Sequence, residues 1–329
     1  MSISLIFRVF VGALALFGLS AGVIVLMLAS PLRRPPELAS ISEARKTLDL
    51  SQLPPLDRIQ ARDGTELAYR HYAAIGPAAA SVAVVVHGSS GSSRGAVHVL
   101  SQALAARGVE SYALDIRGHG ASGTRGDIGH AGQLQDDLAD VVAEIRKAHP
   151  DAPLTLIGHS SGGGFALRMA GSPIQGAFAR TVLLAPYLGY DAPTSRPNAG
   201  GWAQADIPRV IAALLLNRLG VTWADALPVL AFAVPPNAER RLTTVYSFRL
   251  MRDFAASSDF RRDVAAARGP LTLFAGVADE LMLADKYQEA LGARIKVHLV
   301  DGIDHMGIVG HPAAAAMIAD DVARSDLRS

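Results

Sequence analysis

Short apolar runs and amphipathic segments alternate along the chain from residue 56 onwards. The run SVAVVV at residues 81–86 is mostly β-branched and has no polar alternation, which is typical of a central parallel strand buried on both faces. Further strands are predicted at residues 108–115, 153–157, 179–184, 270–275 and 294–300, with helices at 96–107, 133–147, 165–170, 284–290 and 312–324. This alternation predicts an α/β fold with a mostly parallel sheet and right-handed crossovers.

Two regions break the alternation. Residues 57–72 alternate around Asp63-Gly64, which predicts a β-hairpin. After residue 186 the chain is rich in Pro, Gly, Asn and Asp, and helix-like stretches follow at residues 205–219, 224–233 and 238–254. We interpret this insertion as a helical cap over the open edge of the sheet. It spans residues 190–265 and divides an α/β core into residues 56–189 and 266–329.

The N-terminal segment is long and apolar. Residues 9–30 are 22 residues without a charge, enough to cross a bilayer as a helix. A cleaved signal peptide is the alternative, because Arg8 resembles a short basic n-region. The apolar stretch is longer than a usual signal-peptide core, and Pro31 would follow the best small-residue cleavage site. We therefore favour an uncleaved single-pass membrane anchor over residues 1–30.

The segment after this anchor, residues 31–55, contains two Pro-Pro pairs and is predicted to be a linker. Its four basic residues would keep the following domain in the cytoplasm by the positive-inside rule. An N-terminal anchor that delivers its domain to the other side fits the sequence equally well. The side of the membrane therefore stays open.

Composition excludes several classes of function. The chain of 329 residues is half apolar, which is enough for one large core, and its formal charge of +1 gives no electrostatic footprint for nucleic acid. It has no cysteine, so disulfides, thiolate catalysis and cysteine-zinc sites are excluded. We expect no nucleic-acid partner.

The motif GHSSG at residues 158–162 follows the strand predicted at 153–157 and precedes a helix. This G-x-S-x-G pattern is typical of a nucleophile elbow, a sharp turn that exposes Ser160 above the sheet. Glycines are needed at 158 and 162 because neighbouring backbones come too close there for a Cβ. A glycine-rich loop with a capping serine is the alternative interpretation of the same letters.

A catalytic serine needs a histidine base and an acid that orients the histidine. Chemistry in a parallel sheet collects at the carboxyl ends of the strands. His305 lies just after the strand at 294–300, and Asp279 lies just after the strand at 270–275. Glu280 is the alternative acid, whereas Asp301 and Asp304 are too near His305 in sequence to reach round its ring easily.

Ester cleavage also requires hydrogen-bond donors for the developing oxyanion. The N–H of Ser161, at the N-terminus of the helix after the elbow, is one candidate. The loop HGSSGS at residues 87–92 must give the other, and Ser89 is the natural candidate, with Ser90 as its rival. An ordinary Gly/Ser turn is the alternative for this loop.

Five motifs together resemble the α/β-hydrolase superfamily: VVVHG at residues 84–88, DIRGHGAS at 115–122, GHSSG at 158–162, GVAD at 276–279 and DH at 304–305. The branch they resemble most is the monoacylglycerol lipase and lysophospholipase-like group, sometimes grouped with serine aminopeptidases. The resemblance covers about residues 57–323 except most of the cap. It implies an α/β-hydrolase fold with a mostly parallel eight-stranded sheet, helices on both faces and a helical cap, here preceded by a transmembrane helix.

The resemblance also implies roles for individual residues. Ser160 would be the nucleophile, Asp279 the orienting acid and His305 the base, with the backbone N–H groups of Ser89 and Ser161 as the oxyanion hole. The segment 115–122 matches a loop that is mainly structural, so His119 is not expected to act in catalysis. The Gly-Gly-Pro-Gly run of proline-specific peptidases is absent after His87, which argues against peptidase activity.

We therefore expect a membrane-anchored serine hydrolase of carboxylic esters, acting on a lipid or acylglycerol-like substrate without a metal or organic cofactor. A thioesterase or acyltransferase that uses the same triad is the first alternative. A non-catalytic membrane-bound scaffold is the second. Dehalogenase and epoxide hydrolase chemistry is disfavoured, because those relatives carry Asp at the elbow position.

Overall fold

The computed structural model describes residues 3–76, 81–235, 238 and 242–326. An eight-stranded sheet has the order β1-β2-β4-β3-β5-β6-β10-β11. Its strands are β1 (Asp57–Gln60), β2 (Glu66–Tyr72), β3 (Ser81–Val86), β4 (Val109–Leu114), β5 (Leu154–His159), β6 (Arg180–Leu184), β10 (Leu271–Gly276) and β11 (Ile295–Val300). Strands β1 and β2 form the predicted hairpin, β2 is antiparallel to β4, and the remaining pairs are parallel. The predicted α/β fold is confirmed.

Helices cover both faces of the sheet. The helices of the core are α3 (Val97–Ala105), α4 (Gln133–Ala148), α5 (Ser161–Ala170), α8 (Phe260–Ala266), α9 (Tyr287–Leu291), α10 (Gly307–Gly310) and α11 (Pro312–Asp326). All of β3 is buried, and alternate residues point to opposite faces: Val82 and Val84 pack with α4 and α5, whereas Ala83 and Val85 pack with α3 and α11. This double burial explains why the run lacks polar alternation.

The region between β6 and β10 contains helices and a small sheet. Strands β7 (Ala203–Ala205), β8 (Pro228–Phe232) and β9 (Val245–Ser247) form a three-stranded antiparallel sheet, flanked by α6 (Ile207–Arg218) and α7 (Phe248–Asp253). The helix predicted at 205–219 is present as α6. The helix predicted at 224–233 is wrong: a short 3-10 turn at Trp223–Ala226 precedes the strand β8.

Within the predicted helix at 238–254, α7 is the only α-helical part among the described residues, and residues 239–241 lie outside the described part. The reason for these errors is physical. An apolar run of strand length has no period that separates a buried strand from a buried helix, and Val229, Ala231 and Phe232 are all buried. The cap is therefore mixed, not all-helical.

The N-terminal part begins with helix α1 (Ile3–Leu28). Its portion Phe10–Leu28 is long and apolar enough to cross a membrane, and none of it is buried against the rest of the protein. The segment predicted to be a linker, residues 31–55, contains helix α2 (Ala39–Lys46). Ile41 of α2 is buried, and the Leu38 N–H donates a hydrogen bond to the Ala233 carbonyl at 3.1 Å. This segment is thus part of the folded body, which a Pro-rich composition does not reveal.

Candidate active site

Ser160 lies in a tight turn between β5 and α5. Its φ of +53° is in the left-handed region, a strained conformation that a non-glycine residue rarely adopts. A Cβ on Gly158 would lie 2.1 Å from the Gly162 carbonyl oxygen, and a Cβ on Gly162 would lie 2.3 Å from the His87 carbonyl oxygen. Only glycine fits at these two positions, so the predicted local structure of the elbow is confirmed.

His305 and Asp279 form a buried pair. The Nδ1 of His305 lies 2.8 Å from the Oδ2 of Asp279, and both side chains are almost completely buried. The other oxygen of Asp279 accepts hydrogen bonds from the N–H groups of Leu281 and Met282, each at 2.8 Å. Burial alone would raise the pKa of Asp279, but His305 and these two donors outweigh burial and hold the pKa below its usual value. The carboxylate is therefore ionised, and whenever the His305 ring is neutral it fixes Nδ1 as the protonated nitrogen.

The alternative carboxylates have other partners. Glu280 accepts the backbone N–H of His305 at 3.1 Å and the Ser40 hydroxyl at 2.8 Å. Asp304 accepts the Gly307 N–H at 2.6 Å, and Asp301 is exposed. Of the four acids near the base, Asp279 has a hydrogen bond to the imidazole ring. The remaining three hold the backbone around it or face solvent.

One cavity of about 960 Å³ is lined by several of the candidate residues, although Asp279 and Ser161 are not among its lining residues. Ser160, His305, Ser89 and His159 all line it. Gly88 passes directly beside the nucleophile, because a Cβ on Gly88 would lie 3.1 Å from the Cβ of Ser160. The structure thus brings the candidate nucleophile, base and oxyanion loop to one space at the carboxyl ends of the parallel strands, as the topology predicts.

The backbone N–H groups of Ser89 and Ser161 have no hydrogen-bond partner within the described part of the chain. The rival Ser90 differs, because its N–H donates to the hydroxyl of Tyr246 at 2.9 Å. A donor that is already engaged is a poor oxyanion ligand. The geometry therefore favours Ser89 over Ser90.

Several buried side chains that sequence reasoning missed support this site. Tyr246 of the cap donates its hydroxyl proton to His119 at 2.5 Å while accepting from Ser90, so it ties the cap to the oxyanion loop. His87 donates from Nδ1 to the Gly88 carbonyl at 2.7 Å and accepts the Ile116 N–H at Nε2. Tyr246 lies outside the motifs and His87 lies within VVVHG, but their contacts with His119 and Ile116 join residues that are distant in sequence.

His159, the variable position of the GHSSG motif, was also missed. Its Nε2 donates to the carbonyl oxygen of His305 at 3.0 Å, and its ring packs against the His305 ring with centroids 4.8 Å apart. Burial first, and the neighbouring His305 second, lower the pKa of His159 to about 3. A neutral His159 therefore holds the loop that carries the candidate base. The position of His159 next to Ser160 in the motif is the feature of the sequence that could have identified it.

The segment 115–122 is structural, as the resemblance implies. Asp115 accepts the N–H groups of Ser93 and Ala121, at 2.6 and 2.8 Å, and a Cβ on Gly120 would lie 2.0 Å from its carboxylate.

Among the described residues no group of three or more His, Asp or Glu side chains is arranged to hold a metal ion.

Glu280 provides a test of the electrostatics around His305. Burial opposes a charge on the ring, but Asp279, Glu280 and Asp304 together outweigh burial and raise the pKa of His305 above its ordinary value. A base must be deprotonated, so kcat/KM is expected to rise with pH through this pKa. Glu280→Gln removes one negative charge, destabilises the imidazolium and is expected to move the acid limb of the pH profile to lower pH. The control is Asp301→Asn, which changes an exposed carboxylate in the loop that carries His305. If the acid limb of the pH profile did not move in Glu280→Gln, the assigned effect of Glu280 on the pKa of His305 would be contradicted.

Comparison with known proteins places the chain in a family. A family model described as serine aminopeptidase, S33, matches residues 77–308. The chain belongs to this family. The resemblance to the α/β-hydrolase superfamily is thereby confirmed, and the match covers the elbow, Asp279 and His305.

A curated relative, the monoacylglycerol lipase of Mycolicibacterium smegmatis, is 34% identical over 106 residues, which are 32% of this chain and 37% of the relative. The matched segment thus spans little more than a third of that lipase. A soluble variant of monoglyceride lipase from Saccharomyces cerevisiae, in complex with a substrate analog, has a TM-score of 0.63 at 17% identity, covering 83% of this chain and 94% of that one. The monoacylglycerol lipase of Paleococcus ferrophilus has a TM-score of 0.57 at 17% identity, covering 80% and 98%. These two likenesses show the α/β-hydrolase fold.

Proposed function

We propose that this protein is a serine hydrolase of carboxylic esters that forms an acyl-enzyme on Ser160. The observation that carries the proposal is His305, which is held by the buried Asp279 at 2.8 Å and lines the same cavity as a serine on a strained elbow. A lone serine is a weak nucleophile at neutral pH, and this arrangement is the one that activates it.

In the proposed reaction, the Nε2 of His305 accepts the Ser160 hydroxyl proton as the Oγ attacks the ester carbonyl carbon. The N–H groups of Ser89 and Ser161 stabilise the oxyanion of the tetrahedral intermediate. His305 then gives its proton to the departing alcohol, which leaves an acyl-Ser160 ester. Water, deprotonated by His305, attacks this ester, and the proton returns to Ser160 as the acid departs.

We propose a lipid or monoacylglycerol-like ester as the substrate. The cavity lies at the upper end of the usual size range for small-molecule sites, and Leu48, Leu281, Met306 and Val309 contribute apolar walls to it. Such walls suit an acyl chain, whereas the donors beside Ser160 suit the ester group. The monoacylglycerol lipase of M. smegmatis, which shares part of the sequence, supports the same class of substrate.

We propose that the protein is located at a membrane, on the basis of two neighbouring apolar surfaces: helix α1 and an exposed stripe of helix α6. Ile207, Ile211, Leu215 and Leu219 are exposed at intervals of four residues, so they form one stripe along α6. The neighbouring Arg209 donates from Nε to the Leu28 carbonyl at the end of α1, at 3.1 Å. An α1 that crosses the bilayer would therefore hold the α6 stripe at its surface.

The anchor can be tested on membranes from cells that express the full chain. Alkaline carbonate extraction is expected to leave the protein in the membrane pellet with the mass of the uncleaved chain. Release into the supernatant, or a mass that lacks the first 30 or so residues, would support the signal-peptide alternative instead.

The substrate class can be tested with the detergent-solubilised protein. We expect hydrolysis of p-nitrophenyl esters to rise from acetate to medium or long acyl chains, and 1-monoacylglycerols of the same chains to be cleaved. An optimum at acetate, with monoacylglycerols untouched, would contradict the lipid assignment. Product analysis with glycerol or a thiol as a competing acceptor separates hydrolysis from acyl transfer, since a transferred acyl group appears as a new ester or thioester.

A further inference from the structure

Arg45 of helix α2 reaches the candidate active site from the membrane-proximal segment. It lines the same cavity as Ser160, and its guanidinium carbon lies 5.4 Å from the centroid of the Trp202 ring. The indole N–H of Trp202 in turn donates to the Ser89 hydroxyl at 2.8 Å. The side chain of Trp202 therefore lies between the positive charge of Arg45 and Ser89 of the candidate oxyanion loop.

The charge of Arg45 is not neutralised by an acid in the described structure. Its neighbour Lys46 also lines the cavity, but it is exposed and pairs with Glu43 at 2.7 Å, whereas no described carboxylate pairs with Arg45. Arg94 also lines the cavity, and none of the described lining residues is Asp or Glu. Burial lowers the pKa of Arg45 to about 10, so the guanidinium is still charged at neutral pH.

Helix α2 is held in a fixed position over the cavity. Ile41 is buried, and the Ser40 hydroxyl donates to Glu280, which also accepts the backbone N–H of His305. The hydrogen bond from Leu38 to Ala233 fixes the start of the helix against the cap. Arg45 is thus positioned by the catalytic loop and the cap together, and its side chain is not a freely moving surface group.

Arg45 is half-buried beside the cavity, so its cation loses part of its hydration without gaining a described counter-ion, and the face of one indole offsets part of that cost only. A guanidinium binds carboxylates and phosphates through paired, charge-assisted hydrogen bonds. We propose that Arg45 binds an anionic group of the substrate, so that the protein prefers esters that carry a phosphate or a carboxylate within reach of the scissile bond. This inference rests on the proposed function and names the substrate class of the same site.

The alternative role for Arg45 is structural, namely to clamp Trp202 and through it Ser89. The two roles differ in what they do to a neutral substrate. A clamp affects every ester equally, whereas an anion-binding group affects only charged esters. Matched substrates that share one acyl chain therefore separate them.

The experiment uses the full-length protein in a neutral detergent and three hexanoyl esters, whose short chain limits partitioning into micelles. They are 1-hexanoylglycerol, its 3-phosphate, and the hexanoyl ester of glyceric acid. We expect kcat/KM of the wild type to be higher for one or both anionic esters than for the neutral one, and the better of the two tells phosphate from carboxylate. Arg45→Gln is expected to lower kcat/KM for that ester by about 10- to 100-fold and for the neutral ester by no more than about twofold. Arg45→Lys is expected to restore part of the loss.

Arg33→Gln, which removes an exposed positive charge from the same segment outside the cavity, is the control and is expected to leave all three rates unchanged. An equal loss on neutral and anionic esters in Arg45→Gln would establish the clamp and overturn the inference. So would a wild type without preference for either anion.

Calorimetric titration with hexyl phosphate gives a readout that needs no turnover. Binding to the wild type that is lost in Arg45→Gln supports the anion site even where no ester is hydrolysed, a result that would count against the proposed function alone. Absence of binding, together with hydrolysis of the neutral ester and no preference for either anionic ester, overturns the anion site and leaves the proposed function standing.

Discussion

Ser160→Ala is expected to lower kcat for p-nitrophenyl ester hydrolysis by about 10⁴-fold or more, to the floor of the assay. The reason is that Ser160 occupies the strained position of the elbow, between the two glycines that the turn requires, and lines the same cavity as His305. A fluorophosphonate probe is expected to label the wild type and to leave the variant unlabelled, which identifies the nucleophile independently of turnover.

Ser161→Ala provides a matched control one residue away. Alanine keeps the backbone N–H that we assign to the oxyanion hole, so the variant is expected to retain activity within about tenfold and to be labelled by the probe. Equal activity of Ser160→Ala and the wild type would refute the assigned nucleophile. If neither protein hydrolysed an ester or reacted with the probe, the non-catalytic scaffold would become the better explanation.

The parts of this protein that the sequence predicted are those that local physics determines. A Cβ at position 158 or 162 would clash with atoms a few residues away or beside the adjacent strand, so glycine is required there. The five-residue motif GHSSG is therefore enough to predict the elbow. The five positions of β3 from Val82 to Val86 are likewise all buried and all apolar, because helices cover both faces of the sheet. The order in which Ser160, Asp279 and His305 follow their strands then places them at one edge of the sheet.

The parts that were mispredicted depend on contacts between distant residues. Strand β8 is a strand because β7 and β9 pair with it, and the letters PVLAF alone fit a buried helix as well. The choice of Ser89 over Ser90 depends on Tyr246, which lies 156 positions away from Ser90 in the chain. Helix α2 lies in a Pro-rich segment whose composition indicates a linker. It is held against the body by contacts with distant residues, such as the hydrogen bond from Leu38 to Ala233.

Asp279→Asn is expected to lower kcat by about 10³- to 10⁴-fold while leaving the protein folded. The amide has the shape of the carboxylate, and its oxygen can still accept the N–H groups of Leu281 and Met282. Its NH₂ group then faces Nδ1 of His305 and requires that nitrogen to accept a hydrogen bond. The proton of the neutral ring moves to Nε2, which can no longer take the proton of Ser160. The measurement is kcat for a p-nitrophenyl ester, with thermal unfolding to verify the fold.

Asp304→Asn distinguishes this effect from a general loss of charge near the base. Asp304 also raises the pKa of His305, but its carboxylate bonds to the Gly307 backbone and has no hydrogen bond to the ring. This variant is therefore expected to keep kcat within about tenfold, because the tautomer of His305 is unchanged. Both substitutions remove a negative charge and lower the pKa of the imidazole, so both are expected to move the acid limb of kcat/KM to lower pH. Only the loss of Asp279 is expected to lower the plateau as well, and a larger fall in the plateau for Asp304→Asn would make Asp304 the orienting acid.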